Sequence, residues 1–174
     1  MVQITEEIRA KAEIVYGDEV AQQTTKLLLK EVGLPTGLLP LKDIIECGYV
    51  ESTGFVWLKQ KNRIEHKFEK VGRLSRYETE ITAYVDKYRI KKLTGVKVRE
   101  LLIWVSLSEI YMDDPSNGRI TFKIPSGIYR TFPASAFENP EVKVMWDPET
   151  KELKEIKEGV VVNGGGGLLL AKQG

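Results

Sequence analysis

Cysteine and histidine are nearly missing from this 174-residue chain, which holds one of each. A single cysteine, Cys47, excludes an intrachain disulfide. It sits in the apolar stretch 43–50 and reads as a small buried hydrophobe, since nothing near it in sequence would lower its pKa. A zinc site needs clustered histidine and cysteine, which the sequence lacks, so neither a metal nor a cofactor is expected. Long apolar runs are also lacking. The closest stretch, Val160 to Ala171, is broken by four glycines, so no spanning helix is expected. The start, Met1-Val2-Gln3-Ile4-Thr5-Glu6-Glu7, has neither the basic nor the apolar region of a secretory signal. Val2 stands where myristoylation needs glycine, and the last residues form no prenylation box. With no disulfide to form, the chain fits a reducing compartment, and the expected location is cytoplasmic. Charge of one sign is lacking as well: the formal net charge is +1. A nucleic-acid partner is therefore not expected.

What is present is ordinary for a soluble globular domain: 42% hydrophobic and 29% charged residues. Residues 5 to 32 carry a helical pattern. Ile8, Ala12 and Val15 recur at spacings of four and three, and Val20, Thr24, Leu27 and Leu28 continue the stripe. Gly17 interrupts the run and Asp18 can cap a second helix; Gly33 and Pro35 stop it. The segment is one kinked helix or two short ones, with its apolar stripe packed on the remainder of the domain.

After Gly37-Leu38-Leu39-Pro40 the period changes to that of strands. Segments 43–50, 55–59, 63–70, 78–85, 88–93, 98–112, 119–124 and 128–132 read as strands. The turn Glu51-Ser52-Thr53-Gly54 and the run Asp113-Asp114-Pro115-Ser116-Asn117-Gly118 punctuate them. The long 98–112 segment is expected to bend near Ser106. The fold class predicted is mainly β with an N-terminal helix (α+β): an antiparallel Greek-key β-sandwich or partly open barrel of about eight strands. The organisation predicted is a helical segment over 1–33 packing on a β domain over 34–138. A flexible tail then runs over 139–174, disordered beyond about residue 150.

Candidate chemistry is sparse. His66 is the sole general base available to a Ser-His-acid arrangement, but the sequence has no Gly-x-Ser-x-Gly elbow, and Ser126 and Ser135 lie in loops. His66 reads as an ordinary strand residue, and no catalytic residue is assigned. Asp113 and Asp114 open a turn that favours aspartate, and a calcium loop needs more oxygen ligands. Trp57, Trp104, Phe55 and Phe68 read as core, with an apolar cavity between sheet and helix as the functional alternative. Charge is uneven: residues 59 to 99 hold thirteen basic and five acidic side chains. If consecutive strands pair, the segments 70–77 and 94–98 join the turns at 51–54 and 125–127 at one end. Lys70, Arg73, Arg76, Lys91, Lys92, Lys97 and Arg99 would gather there as an anion-binding cluster.

Leu93 to Val105, together with Gly37-Leu38-Leu39-Pro40, Thr53-Gly54-Phe55 and Ser126 to Phe137, resembles a plant family catalogued as domain of unknown function 538. The resemblance covers roughly residues 20 to 138, with Tyr88 standing where relatives commonly carry a turn glycine. It implies a β-sandwich or barrel preceded by helix. That family has been likened to lipid-binding bactericidal/permeability-increasing proteins, and a pigment or ester hydrolase role has been suggested for it. The function expected here is a non-enzymatic binding module for an amphipathic or anionic, lipid-like ligand. Its partner would be an amphipathic small molecule or an anionic membrane surface. The alternatives are an ester or pigment hydrolase using His66, and a protein-interaction domain engaged through the N-terminal helix.

Overall fold

The computed structural model describes residues 3–138 and 143–156. The chain divides into two compact units, Met1–Asn139 and Pro140–Gly174. In the first, Thr5 opens helix α1 (Glu6–Lys11), its hydroxyl accepting from the Ile8 N–H at 3.2 Å. The expected helical run then breaks. Glu13–Tyr16 is a strand, β1, paired antiparallel with β2 (Ile44–Val50). The β-branched pair Ile14-Val15 and Tyr16 suit a pleated surface, and β2 offers them backbone partners, so sheet pairing overrides the helical spacing that includes Val15. Helix α2 (Asp18–Glu31) comes next.

The buried stripe of α2 is Ala21, Thr25 and Leu29, one position round from the stripe expected; Val20 and Leu27 face outward. Polar anchors fix this rotation. The Asp18 carboxylate accepts from the Ile44 N–H at 2.9 Å, and the Gln22 amide donates to the Leu41 carbonyl at 2.7 Å.

The remaining strands of this unit are β3 (Phe55–Gln60), β4 (Ile64–Phe68), β5 (Arg73–Asp86), β6 (Arg89–Glu100), β7 (Ile103–Ser106), β8 (Glu109–Tyr111), β9 (Arg119–Lys123) and β10 (Tyr129–Pro133). With β1 and β2 they form one open antiparallel sheet of ten strands. Its path is β1-β2-β3-β5-β6-β8-β9-β10, with β4 beside β5 and β7 beside β6. The class is mainly β with helix at the N-terminal side (α+β), as expected, and the antiparallel sheet is open. The path runs with the chain as a meander with two branches, without a Greek-key crossing.

The branches arise from length. β5 and β6 are fourteen and twelve residues long, too long for any one short neighbour. Toward one end β5 pairs with β4 and β6 with β7; toward the other β5 pairs with β3 and β6 with β8. The connection expected at 94–98 does not exist, because β6 runs straight through it. Gly95 permits this: it has φ +83, and a Cβ there would overlap the Glu80 carbonyl of β5, where the register shifts. The Tyr88 turn residue, at φ +59, takes the conformation that glycine would adopt more cheaply.

Both faces of β3 are covered. Val56 and Leu58 join the main core with Leu29, Cys47, Ile81 and Ile90. Phe55 and Trp57, on the alternate face, join Val50 under Ile4, Ile8, Ala12 and Ile14. Gly48 makes room for Trp57, whose ring a Cβ at that position would overlap. At the margin of this second cluster, Glu46 accepts from both terminal nitrogens of Arg9 at 3.1 Å, and Lys59 lies 3.3 Å away. The Trp57 indole N–H also points at Glu46, at 3.4 Å. The Glu46–Arg9 pair ties α1 to the sheet.

The second unit is a two-stranded antiparallel hairpin over its described residues, β11 (Lys143–Asp147) with β12 (Glu152–Ile156). The disorder expected past about residue 150 falls largely on residues outside those described; Glu152–Ile156 is strand.

The Arg9 hydrogen bonds hold the Glu46 carboxyl down to about 2, against an ordinary 4.5. A depressed folded pKa contributes stability that is complete above the unfolded value and lost as pH falls through the folded one. Wild type is expected to lose on the order of 3 kcal/mol from this group between about pH 5 and pH 2. Glu46→Gln should melt lower at neutral pH and show a shallower decline over that acid window. Thermal unfolding followed by circular dichroism across the range is the check.

Candidate functional site

At the end where β4, β5, β6 and β7 run together, the sheet opens into a cavity of about 680 Å³. Strand alternation builds its wall. Arg73, Ser75 and Tyr77 of β5 share one face, as do Val96, Val98 and Glu100 of β6, and all line the space. β7 adds Val105. Phe122 and Ile124, then Ile128, Arg130 and Phe132, line the opposing side. Leu38, Leu39, Phe68 and Phe137 close the floor, where Phe137 packs on Phe68 and Phe122 with ring centroids 4.9 Å apart. The glycine–proline-rich link at 37–40 therefore has a structural task.

Polar groups in the wall are already satisfied. The Tyr77 hydroxyl donates to the Leu38 carbonyl at 2.9 Å, and burial pushes its phenol pKa up. The Ser75 hydroxyl donates to the His66 carbonyl at 3.1 Å. Among the described residues no buried side-chain nitrogen or oxygen lacks a partner. The interior thus offers hydrophobic contact and no free polar hook.

Charge is confined to the rim. Glu100 accepts from Arg130 through Nε at 2.9 Å and Nη2 at 3.2 Å, and from Arg73 Nη1 at 3.1 Å. Arg130 first, then Arg73, hold the Glu100 carboxyl below its usual range. The Arg73 guanidinium also lies 5.5 Å from the Phe132 ring centroid. Glu100 on β6 and Arg130 on β10 come from strands that are not paired with one another, so this contact clasps the mouth of the cavity.

The seven expected anion-binding residues are dispersed. Lys70, in the β4–β5 turn, and Arg73 and Arg99 lie at the cavity end. Arg76 and Lys97 face one another across β5 and β6, on the outer side of the wall. There Arg76 pairs with Glu65 at 2.9 Å and stacks over Trp104 at 4.0 Å, and Arg99 approaches the same ring at 5.9 Å. Lys91 and Lys92 lie toward the opposite end. Lys91 is 4.0 Å from Asp86, and Lys92 is 5.3 Å from the Tyr84 ring. The 51–54 turn is at that opposite end too, since Phe55 pairs with Tyr84.

Sequence reasoning missed Glu100, Arg130 and the apolar mouth. The hairpin turn at Leu101-Leu102 carries no glycine, proline or asparagine, so nothing in its composition separates it from the strands on either side.

His66 is half-buried, its ring edge-on to Phe68 with centroids 4.6 Å apart, and burial lowers its pKa. Ser126 and Ser135 are exposed. Among the described residues no group of histidine, cysteine, aspartate and glutamate could hold a metal ion, and none of the helices is long and apolar enough to cross a membrane.

A family model described as a protein of unknown function, DUF538, matches residues 25–138. The chain belongs to this family. Within the DUF538 region fall α2 from Thr25 onward, strands β2 to β10 and the whole lining of the cavity; α1 and β1 precede it. No curated protein and no solved structure matches the chain.

Because the clasp is partly exposed, its net worth is expected to be below about 1 kcal/mol. Glu100→Ala should therefore leave the melting temperature nearly unchanged while releasing Arg130. Amide hydrogen exchange at Tyr129–Thr131 is expected to speed up, and unchanged exchange there would show that the clasp does not restrain the rim.

Proposed function

We propose that this DUF538 domain is a non-enzymatic binding module for a single amphipathic, lipid-like molecule. The observation that carries the reading is the pairing of an apolar cavity of about 680 Å³ with arginines confined to its rim. A space of that size is in the range of small-molecule sites. Its walls reward burial of a hydrocarbon tail, at roughly 25 cal/mol for each Å² removed from water. A carboxylate or phosphate head would reach Arg73 and Arg130, replacing Glu100 as their partner, so the charged end stays at the solvent boundary. A free, buried Cys47 agrees with placing the protein in the cytoplasm.

An ester hydrolase using His66 is the competing chemistry. Against it, the imidazole packs on Phe68 and the nearby Ser75 hydroxyl spends its proton on a backbone carbonyl.

Titration with the fluorescent fatty acid cis-parinaric acid tests the proposal. Wild type is expected to bind it, with fluorescence enhancement from the apolar wall. Val98→Trp, which fills the cavity, should weaken binding by about tenfold or more, as loss of apolar contact worth over about 1.4 kcal/mol requires. Binding of equal strength in Val98→Trp would sink the cavity as the site. Turnover of short activated esters by wild type, abolished in His66→Ala, would favour the hydrolase instead.

A further inference from the structure

The mouth of the cavity is edged by two hairpin tips whose chemistry is wrong for water. At the β6–β7 turn Leu101 is 93% exposed, Leu102 84% and Ile103 64%; at the β9–β10 turn Ile128 is 65% exposed and Tyr129 63%. All five line the same opening. Single exposed apolar residues are normal, but a contiguous group of large ones marks an interaction surface.

The backbone strengthens the point. Glu100 pairs with Ile103, so the β6–β7 connection is a two-residue turn, and Leu101 occupies it at φ +55. Glycine, asparagine or aspartate takes such a position at little steric cost. A leucine held there, pointing almost wholly into solvent, costs stability twice, which directs attention to what it contacts outside the fold.

Charge indicates the occupant. Lys70, Arg73, Arg99 and Arg130 lie at this end. Glu100 offsets part of that charge, while Glu69 is held by Lys67 at 3.8 Å. Apolar tips with a basic fringe match the acyl–headgroup boundary of an anionic bilayer, where tyrosine also settles with its ring in the apolar layer and its hydroxyl at the headgroups.

We propose that the Leu101–Ile103 and Ile128–Tyr129 tips insert into the surface of an anionic phospholipid membrane, so that the cavity mouth opens directly onto lipid. The purpose of the docking rests on the ligand-binding reading above; the docking itself does not. A ligand then passes between bilayer and cavity without exposing its tail to water, and the Arg130–Glu100 clasp loosens as Arg130 meets lipid phosphate.

Co-sedimentation of the full chain with phosphatidylcholine vesicles, with and without phosphatidylserine, is the test. Wild type is expected to bind the anionic vesicles at least about tenfold more tightly than the neutral ones. Leu101→Ser/Leu102→Ser, which keeps every charge, should lose about tenfold or more of that affinity, and Ile128→Ser should weaken it separately. Leu27→Ser, an exposed apolar position on α2, should behave as wild type. Normal vesicle binding by both tip variants would overturn the proposal, as would equal binding of wild type to neutral and anionic vesicles, or none to either. A wild-type dimer in sedimentation that becomes monomeric in the tip variants would also overturn it, by showing that a second copy covers the tips. Uptake of cis-parinaric acid by wild type without vesicles reports on the cavity alone, so its failure and a failure of docking are read separately.

Discussion

Two long strands that cannot keep the same neighbours from end to end set the form of this molecule. β5 and β6 stay hydrogen-bonded to one another over most of their length, yet each changes its other partner midway. An unpaired buried backbone group costs about as much as a lost hydrogen bond, so each half of each strand must find a partner of its own. β3 and β8 serve one half, β4 and β7 the other. β7 and the β8-β9-β10 run both leave the edge of β6 that faces away from β5, at its two ends, and the cavity is lined from β5, β6 and β7 on one side and from β9 and β10 on the other. The close crossing at Gly95 and Glu80, where the register shifts, is the local device that allows it.

Given that fork, the division of chemistry comes from alternation. Residues facing the space are Val96, Val98 and Val105 on one side and Phe122, Ile124 and Phe132 on the other. Their neighbours in sequence, Lys97 and Arg99, face outward, where Arg99 joins Arg76 around the Trp104 ring. The two polar groups sent inward, Ser75 and Tyr77, give their protons to backbone carbonyls. Glu100, two residues beyond Val98, comes at the rim, where a charge keeps contact with solvent and gathers both arginines. Tail-binding wall and head-binding rim are thus one alternating pattern read toward the strand end.

Much of this architecture was legible, and the gaps have physical reasons. The alternation of Thr79, Ile81, Ala83 and Val85 predicts a strand, and Ile81 and Ala83 are buried in the main core. The first half of β5 escapes the same reasoning because Arg73, Ser75 and Tyr77 face a cavity and its rim, so hydrophobic periodicity fades there. β1 was hidden because Ile8, Ala12 and Val15 fit a helix as well as Ile14 to Tyr16 fit a strand, and only the edge of β2 decides between them. The basic excess over 59–99 is real in composition, but continuous strand through 94–98 sends Lys91 and Lys92 to one end and Lys70, Arg73 and Arg99 to the other. Arg130 and Glu100, thirty residues apart, meet only through the fork.

The central claim is that the forked end houses one amphipathic molecule, and native mass spectrometry of the protein purified from its own source tests it most directly. The account predicts a chain carrying a single additional mass, released intact at higher collision energy, with an acidic head and a hydrocarbon tail. A bare chain that also takes up nothing after incubation with long-chain fatty acid or lysophospholipid would contradict it.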